Sequence, residues 1–362
     1  MTRNPRVTAL IDTYNHERFL AEAIESVLAQ DFPAADMEII VVDDGSTDST
    51  PQVAARYPER IRYIRKENGG QASALNRGFA ESRGGVIALL DADDVWLPRK
   101  ISRVVEEFDR DPEAGAIFHA SQSWCPDLGR CEDDPSFVPF NGYLPDSEDA
   151  MLRFGSVSTS WTALRRDVAR RIFPVPESVK LFADSFIICA AIFCAPVAAV
   201  TECLARYRQH NSNLTFSARP DPVRAKRSND SFRCAIEEMR CWLDRNGFLG
   251  RTRAAELILE RMALVEQLQR FVMCPPGRLQ FFAHLRRQHR LYSRLWSPAF
   301  RAFDTLKSGA GLVLGYHGFC AAQQFYRRSL SLPRLRESLA PAMRSDFQVS
   351  SGASRPESLE LR

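Results

Sequence analysis

Two clusters of carboxylates stand out at the ends of apolar runs. Ile39-Ile40-Val41-Val42 is followed by Asp43-Asp44-Gly45-Ser46. A carboxylate leaving a buried strand can accept a hydrogen bond from a base N–H or a ribose hydroxyl. It can equally form an Asp turn that caps the next helix. Val86-Ile87-Ala88-Leu89-Leu90 is followed by Asp91-Ala92-Asp93-Asp94, three acids within four residues. Crowded negative charge is unfavourable without a cation. Oxygen donors suit a hard divalent ion, Mg²⁺ or Mn²⁺, which also binds diphosphate. The competing explanation is an acid-rich helix start ahead of Pro98. A third segment, Asn68-Gly69-Gly70-Gln71, opens a helix with glycines that let backbone approach a ligand. It lacks the Gly-Lys-Ser/Thr ending of a Walker loop, and no GxGxxG follows the first strand.

The elements that must position these residues alternate. Val- and Ile-rich runs at Val7–Ile11, Glu38–Val42, Ile61–Ile64, Val86–Leu90 and Ala116–Phe118 read as strands. Between them, Leu20/Ile24/Val27/Leu28, Ala72/Leu75/Phe79 and Ile101/Val104/Val105/Phe108 recur at helical spacing. Thr50 is the expected N-cap of a further helix, with Pro51 at its first position. Alternating strands and helices predict an α/β fold, a mostly parallel sheet sandwiched by helices. In such sheets the ligand crevice lies beyond the carboxyl ends of the strands. Residues 121–150 read as loop, Phe186–Val200 as buried core, and the chain beyond about 220 as mainly helical. The last fifteen or so residues read as disordered.

Four segments in order resemble family 2 glycosyltransferases of the GT-A fold: Val7–Leu20 with its Tyr-Asn turn, VVDDGSTDST (41–50), NGGQASALNRG (68–78) and LLDADD (89–94). The resemblance covers roughly residues 5–215. It implies a Rossmann-like GT-A sheet, followed here by a mainly helical C-terminal extension. It divides the chain into a catalytic domain (1–215), a basic helical extension (216–345) and a disordered tail (346–362). Further on, Thr159–Arg166 resembles the family's acceptor-side strand, and Tyr207-Arg208-Gln209-His210 its Tyr-Arg-x-His segment. Phe182-Ala183-Asp184 stands where the family has an acidic pair. Ala183 and Ser185 depart from that pattern, and Asp184 keeps it.

The resemblance implies a metal-dependent, inverting transfer from a UDP-sugar or other nucleoside-diphosphate sugar to an acceptor hydroxyl, of the hexosyltransferase type. Thr13, Tyr14, Asp43, Asp44, Asn68, Gly70, Asn76, Asp91 and Asp93 would bind the nucleotide-sugar. Tyr14 would pack on the base and Asp44 would bond its N–H edge; Asp12 leaves the base preference open. Asp93, Asp94 and His210 would hold Mn²⁺ or Mg²⁺, with His210 equally readable as structural. Asp184 would be the general base. The departures at Ala183 and Ser185 keep open a catalytically impaired relative that only binds nucleotide or glycan. A nucleotidyltransferase would need a Gly-rich basic loop after the first strand, and Asp12-Thr13-Tyr14-Asn15 is not one.

Composition sets outer bounds. The 362 residues are 45% hydrophobic and 26% charged, with mean hydropathy −0.26. That excludes a disordered, collagenous or polytopic membrane protein. The net charge of +3 conceals a split: residues 1–214 hold 23 Lys+Arg and 32 Asp+Glu, and residues 215–362 hold 25 and 13. Nine cysteines without a CxxC suggest reduced thiols in the cytoplasm. The first fifteen residues lack a secretory pattern. In Leu279–Trp296, apolar Phe281, Phe282, Leu285, Tyr292, Leu295 and Trp296 share one helical face opposite Arg286, Arg287, Arg290 and Arg294. That pattern suits either an anionic membrane surface or packing against its own domain. No nucleic-acid motif accompanies it. The expected partners are the donor, a glycan or lipid-linked acceptor of cell-envelope polysaccharide or lipopolysaccharide synthesis, and the cytoplasmic face of the inner membrane.

Overall fold

The computed structural model describes residues 4–134, 137–154, 157–210, 213, 222–295 and 298–330. The expected disordered tail, and Trp296, lie outside the described residues. In chain order the elements are β1 (Val7–Thr13), α1 (Leu20–Leu28), β2 (Met37–Asp43), α2 (Thr50–Ala54), β3 (Arg62–Arg65), α3 (Gln71–Glu81), β4 (Val86–Asp91), β5 (Val95–Trp96), α4 (Lys100–Arg110), β6 (Ala116–Cys125) and β7 (Arg130–Asp133). Then follow α5 (Glu148–Arg153), β8 (Thr162–Arg165), α6 (Arg166–Ile172), α7 (Ala183–Cys194), β9 (Val197–Arg208), α8 (Pro222–Arg245), α9 (Arg253–Met273), α10 (Arg278–Tyr292) and α11 (Pro298–Leu330).

One nine-stranded sheet runs β3-β2-β1-β4-β8-β6-β9-β5, with β7 on β6. Strands β3, β2, β1 and β4 are mutually parallel; β8 reverses, and β6 and β9 again run parallel to each other. The continuous apolar runs follow from burial on both faces. In β1 and β2, Leu10, Ile40 and Val42 enter one core, while Ala9, Ile11, Ile39 and Val41 enter the other. That is the period-two alternation of a strand. Helices α3 and α5–α9 cover the first face, and α1, α2 and α4 the second. Each fully buried Leu, Ile or Val contributes roughly 1.5–3 kcal/mol.

Three expectations shift. Residues 121–150 are not all loop: β6 extends to Cys125, β7 pairs with it, and α5 begins at Glu148. Ser49, not Thr50, flanks α2; Thr50 Oγ1 accepts the His16 N–H instead. The compact first unit does not stop near 215 but runs to Met273. Phe232, Met239, Trp242 and Leu243 of α8, with Ile258, Leu259 and Met262 of α9, share the core cluster of Ile187 and Phe193 in α7.

The second unit begins at Cys274. Its α10 and α11 pack through Phe281, whose ring meets Tyr316 at 5.4 Å and Phe319 at 5.1 Å, and through a His289 Nδ1–Asp304 Oδ2 contact of 2.8 Å. Helix α11 breaks at Gly315, where φ is +69°. The apolar face expected on α10 is thus partly covered within the unit, with Phe281 and Leu285 buried and Arg286, Arg287 and Arg290 exposed. Among the described residues, no helix is long and apolar enough to cross a membrane.

Candidate active site

Strand register assembles the acids. Parallel pairing sets Asp12 of β1 beside Asp91 of β4, and Thr13 beside Asp43 of β2, all at carboxyl ends. Burial, reinforced by the charges of Asp93 and Asp184, pushes the Asp12 carboxyl up to about 7, despite a hydrogen bond with Asp91. Burial, then the charges of Asp12, Asp94, Asp93 and Asp184, raises Asp91 well above the carboxylate range. Asp184, in the first turn of α7, is raised by burial, against hydrogen bonds from the Ser185 and Thr159 backbone. The expected base therefore faces the donor-side carboxylates closely enough to repel them. Asp93 goes the other way. Burial would raise it, but His210 Nε2 at 3.0 Å from its Oδ2, with the charges of His16 and His210, holds it low.

The loop after β1 and the loop after β2 interlock. Asn15 N–H donates to Ser46 Oγ at 2.9 Å, and Thr47 N–H to Asn15 Oδ1 at 2.8 Å. Glu17 N–H donates to Asp48, and Ser49 N–H to Glu17. Tyr14, 44% exposed, is left at the rim with a free face for a planar base. Asp43 is fully buried, accepting from the Ser46 N–H at 2.7 Å and from the Tyr63 hydroxyl. Asp44 accepts from Lys66 Nζ (2.8 Å), Gly69 N–H (2.9 Å) and Gly70 N–H (2.7 Å), so its carboxylate shapes the Asn68–Gln71 loop. Asn68 joins that scaffold through the Asp44 carbonyl, at 3.0 Å. Gly70 adopts φ +92°, and a Cβ there would stand 2.8 Å from the Lys180 carbonyl, so only glycine fits.

Two expected ligands are turned away from the crevice. Asn76 exchanges hydrogen bonds with the Val175 backbone, 2.7 Å each way, and pins α3 to the segment before α7. Asp94 is 1% exposed; it accepts from Ser160 Oγ at 2.5 Å and from the Arg208 N–H at 2.9 Å. Both of its carboxylate oxygens are thus already engaged by the protein. Asp93 and His210, by contrast, come together as expected, and Asn213 braces them at 3.4 and 3.2 Å.

Three contributors went unrecognised in the sequence. Gln71 Nε2 donates to Asp91 Oδ1 at 3.1 Å while its Oε1 accepts from the Ala183 N–H at 3.2 Å. Arg208 donates from Nε to the Asp93 carbonyl at 2.8 Å, pairs with Glu22, and lies 4.2 Å over the Trp124 ring. His16 sits beside Asp93 and His210, and burial lowers its pKa. Only the Tyr-Arg-x-His spacing pointed toward Arg208. Ala183 is fully buried at the start of α7, and Phe182 before it holds φ +63°, a costly conformation for a bulky residue. Asp12 Oδ1, Thr13 Oγ1, His16 Nδ1 and Trp161 Nε1 are buried without a hydrogen-bond partner among the described residues. Unsatisfied polar groups concentrated beside a crevice mark a place where a ligand completes the bonding.

This curled sheet, with acids at its parallel strand ends and a second acid-bearing helix opposite, defines a GT-A glycosyltransferase fold. Residues 8–124 match Glycosyl transferase family 2. An uncharacterised glycosyltransferase of Nostoc sp. is 36% identical over 225 residues, 59% of this chain and 67% of the relative. An uncharacterised protein of Mycobacterium tuberculosis is 31% identical over 222 residues, 58% of this chain and 60% of that protein's length. S. aureus TarS 1-349, solved in complex with UDP-GlcNAc, superposes with a TM-score of 0.59 at 17% identity, covering 86% of this chain and 92% of TarS 1-349. The chain belongs to glycosyltransferase family 2.

Proposed function

We propose that this chain transfers a sugar, with inversion, from a nucleoside-diphosphate sugar to an acceptor hydroxyl in cell-envelope glycan synthesis. The observation that carries the reading is the convergence of Asp12, Asp91, Asp93 and Asp184 on one crevice. Tyr14 offers a stacking face for the base, above the rigid pair of loops that Asp43 and Asp44 brace. UDP-GlcNAc bound to TarS 1-349 supports a nucleotide-sugar donor here. Asp184 acts as general base, taking the acceptor hydroxyl proton as the oxygen attacks the anomeric carbon. Burial raises its pKa above the ordinary carboxylate value, which makes it a stronger base.

The donor set fits a hard divalent cation. The unpartnered Asp12 Oδ1 and the crowded acids call for positive charge. Among the described residues, no three His, Cys, Asp or Glu side chains already stand in ligating geometry. Asp91, Asp93 and His210 are the residues that would hold the ion, and Mn²⁺ or Mg²⁺ would supply charge to the diphosphate as it leaves. Ala183 leaves catalysis intact on this reading, because it fills the core while Asp184 faces the acids. The test is nucleotide-sugar turnover with Mn²⁺ by Asp184→Asn. A loss of about 10²–10⁴ in kcat with UDP binding retained is expected; wild-type turnover would remove Asp184 as base.

A further inference from the structure

Ser178, Lys180 and Leu181, just before α7, face Lys226, Arg227, Asp230, Ser231 and Cys234 of α8 across an open groove of about 460 Å³. That is ample for a monosaccharide or a phosphate-bearing fragment. Three cations line it against one acid, a surplus of positive charge; Asp230 pairs with Lys226 and with Arg233. Arg227 is exposed and makes no ion pair among the described residues.

The segment before α7 is held on one side to the Gly69–Gln71 loop and on the other to α8. On one side the Lys180 carbonyl accepts the Gln71 N–H at 3.0 Å, and Lys180 Nζ donates to the Gly69 carbonyl at 2.9 Å. On the other, Ser231 Oγ accepts the Leu181 N–H at 2.9 Å, and the Phe182 and Phe232 rings meet at 5.2 Å. Leu181, which lines the groove, precedes Asp184 in the chain by three Cα steps of about 3.8 Å each.

We propose that the groove binds a phosphate group carried by the acceptor, a few bonds from the hydroxyl that receives the sugar. A phosphate offers acceptor oxygens to Arg227, Lys226 and Lys180 in charge-assisted hydrogen bonds. This rests on the glycosyl-transfer reading above and gives it an anionic acceptor class. The phosphate could be a sugar phosphomonoester or a phosphodiester lipid headgroup, and the probes separate the two.

The experiment titrates the full chain, saturated with UDP, with glucose 6-phosphate and with glycerophosphoglycerol, using glucose and glycerol as neutral controls. The comparison protein carries Lys226→Ala and Arg227→Ala together; Lys180 is kept because it also holds the Gly69 loop. Wild-type protein should bind one phosphate compound about tenfold more tightly than its neutral counterpart, and the double variant should lose that preference. The better probe names the source. Lys226→Arg with Arg227→Lys should restore binding, and added salt should weaken it. No phosphate preference in the wild type, or an unchanged preference in the variant, overturns the proposal. Loss of UDP affinity in the variant also overturns it, by assigning the groove to the donor. UDP affinity of the wild type, read in a separate titration with UDP alone, reports on the donor reading.

Discussion

Gln71 Nε2 lies 3.1 Å from Asp91 Oδ1, so the first residue of α3 is tied to the last residue of β4. Through its Oε1 the same amide holds the Ala183 N–H, one residue before Asp184. One side chain thus bridges Asp91 and the first turn of the helix that carries Asp184. Gln71→Leu should lower kcat between tenfold and a hundredfold, the order expected for a misplacement of about 1 Å. Its melting temperature should stay within a few degrees of wild type. Steady-state turnover beside a melting curve checks this, and unchanged kcat would leave Gln71 a packing residue.

Asp93 and Asp94 are adjacent in sequence and opposite in role. Asp93→Asn should weaken Mn²⁺-dependent nucleotide binding at least tenfold and leave the fold intact. Asp94→Ala should cost about 3 kcal/mol of stability, because it strips the acceptor from Ser160 and Arg208 beside the buried Lys100. Calorimetric binding and chemical denaturation of the two variants separate the effects. Loss of metal-linked binding in Asp94→Ala without loss of stability would reverse the assignment.

The Asp12 carboxyl titrates at about 7 in the fold against an ordinary 3.8. Between those values the folded chain binds more protons than the unfolded chain. Stability therefore falls as pH rises from about 4 to about 7. Asp12→Asn removes this penalty, so its stability advantage over wild type should grow across that window. Denaturant midpoints at pH 4.5, 6 and 7.5 give the slope. A difference constant with pH would show that Asp12 is not held protonated.

A chain ending at Met273 should fold and keep UDP affinity, because the first compact unit closes there. A chain ending at residue 215 should aggregate, because it uncovers the face of α7 on which Met239, Trp242 and Ile258 pack. Gel filtration and UDP titration of the two fragments decide this.

Strands β1, β2 and β4 were legible because strands buried on both faces write themselves as largely apolar runs, each with a carboxylate near its end. The roles of those carboxylates were less so. Asp94 reads like Asp93, and only the approach of Ser160 and Arg208 from distant segments shows that it points inward. Asn76 sits in a motif beside ligand-binding residues, yet its partner Val175 is remote in sequence. The helices α8 and α9 read as part of a separate basic extension because the charge balance of the chain turns positive beyond residue 215. The apolar stripe that binds them to α7 carries no charge to notice.

The reversal of strand direction between β4 and β8 gives the molecule a seam. The nucleotide-side residues lie before it, and Asp184 and the basic groove lie after it. Many polar contacts cross it: Gln71 to Ala183 and Lys180, Asn76 to Val175, Ser160 to Asp91 and Asp94, and Arg208 and His210 to Asp93. On the proposed reading, that seam is a graft line. A downstream segment from a relative could be joined near residue 158 to retarget the sugar, provided the graft keeps Ser160, Arg208 and His210 and the backbone partners of Gln71 and Asn76.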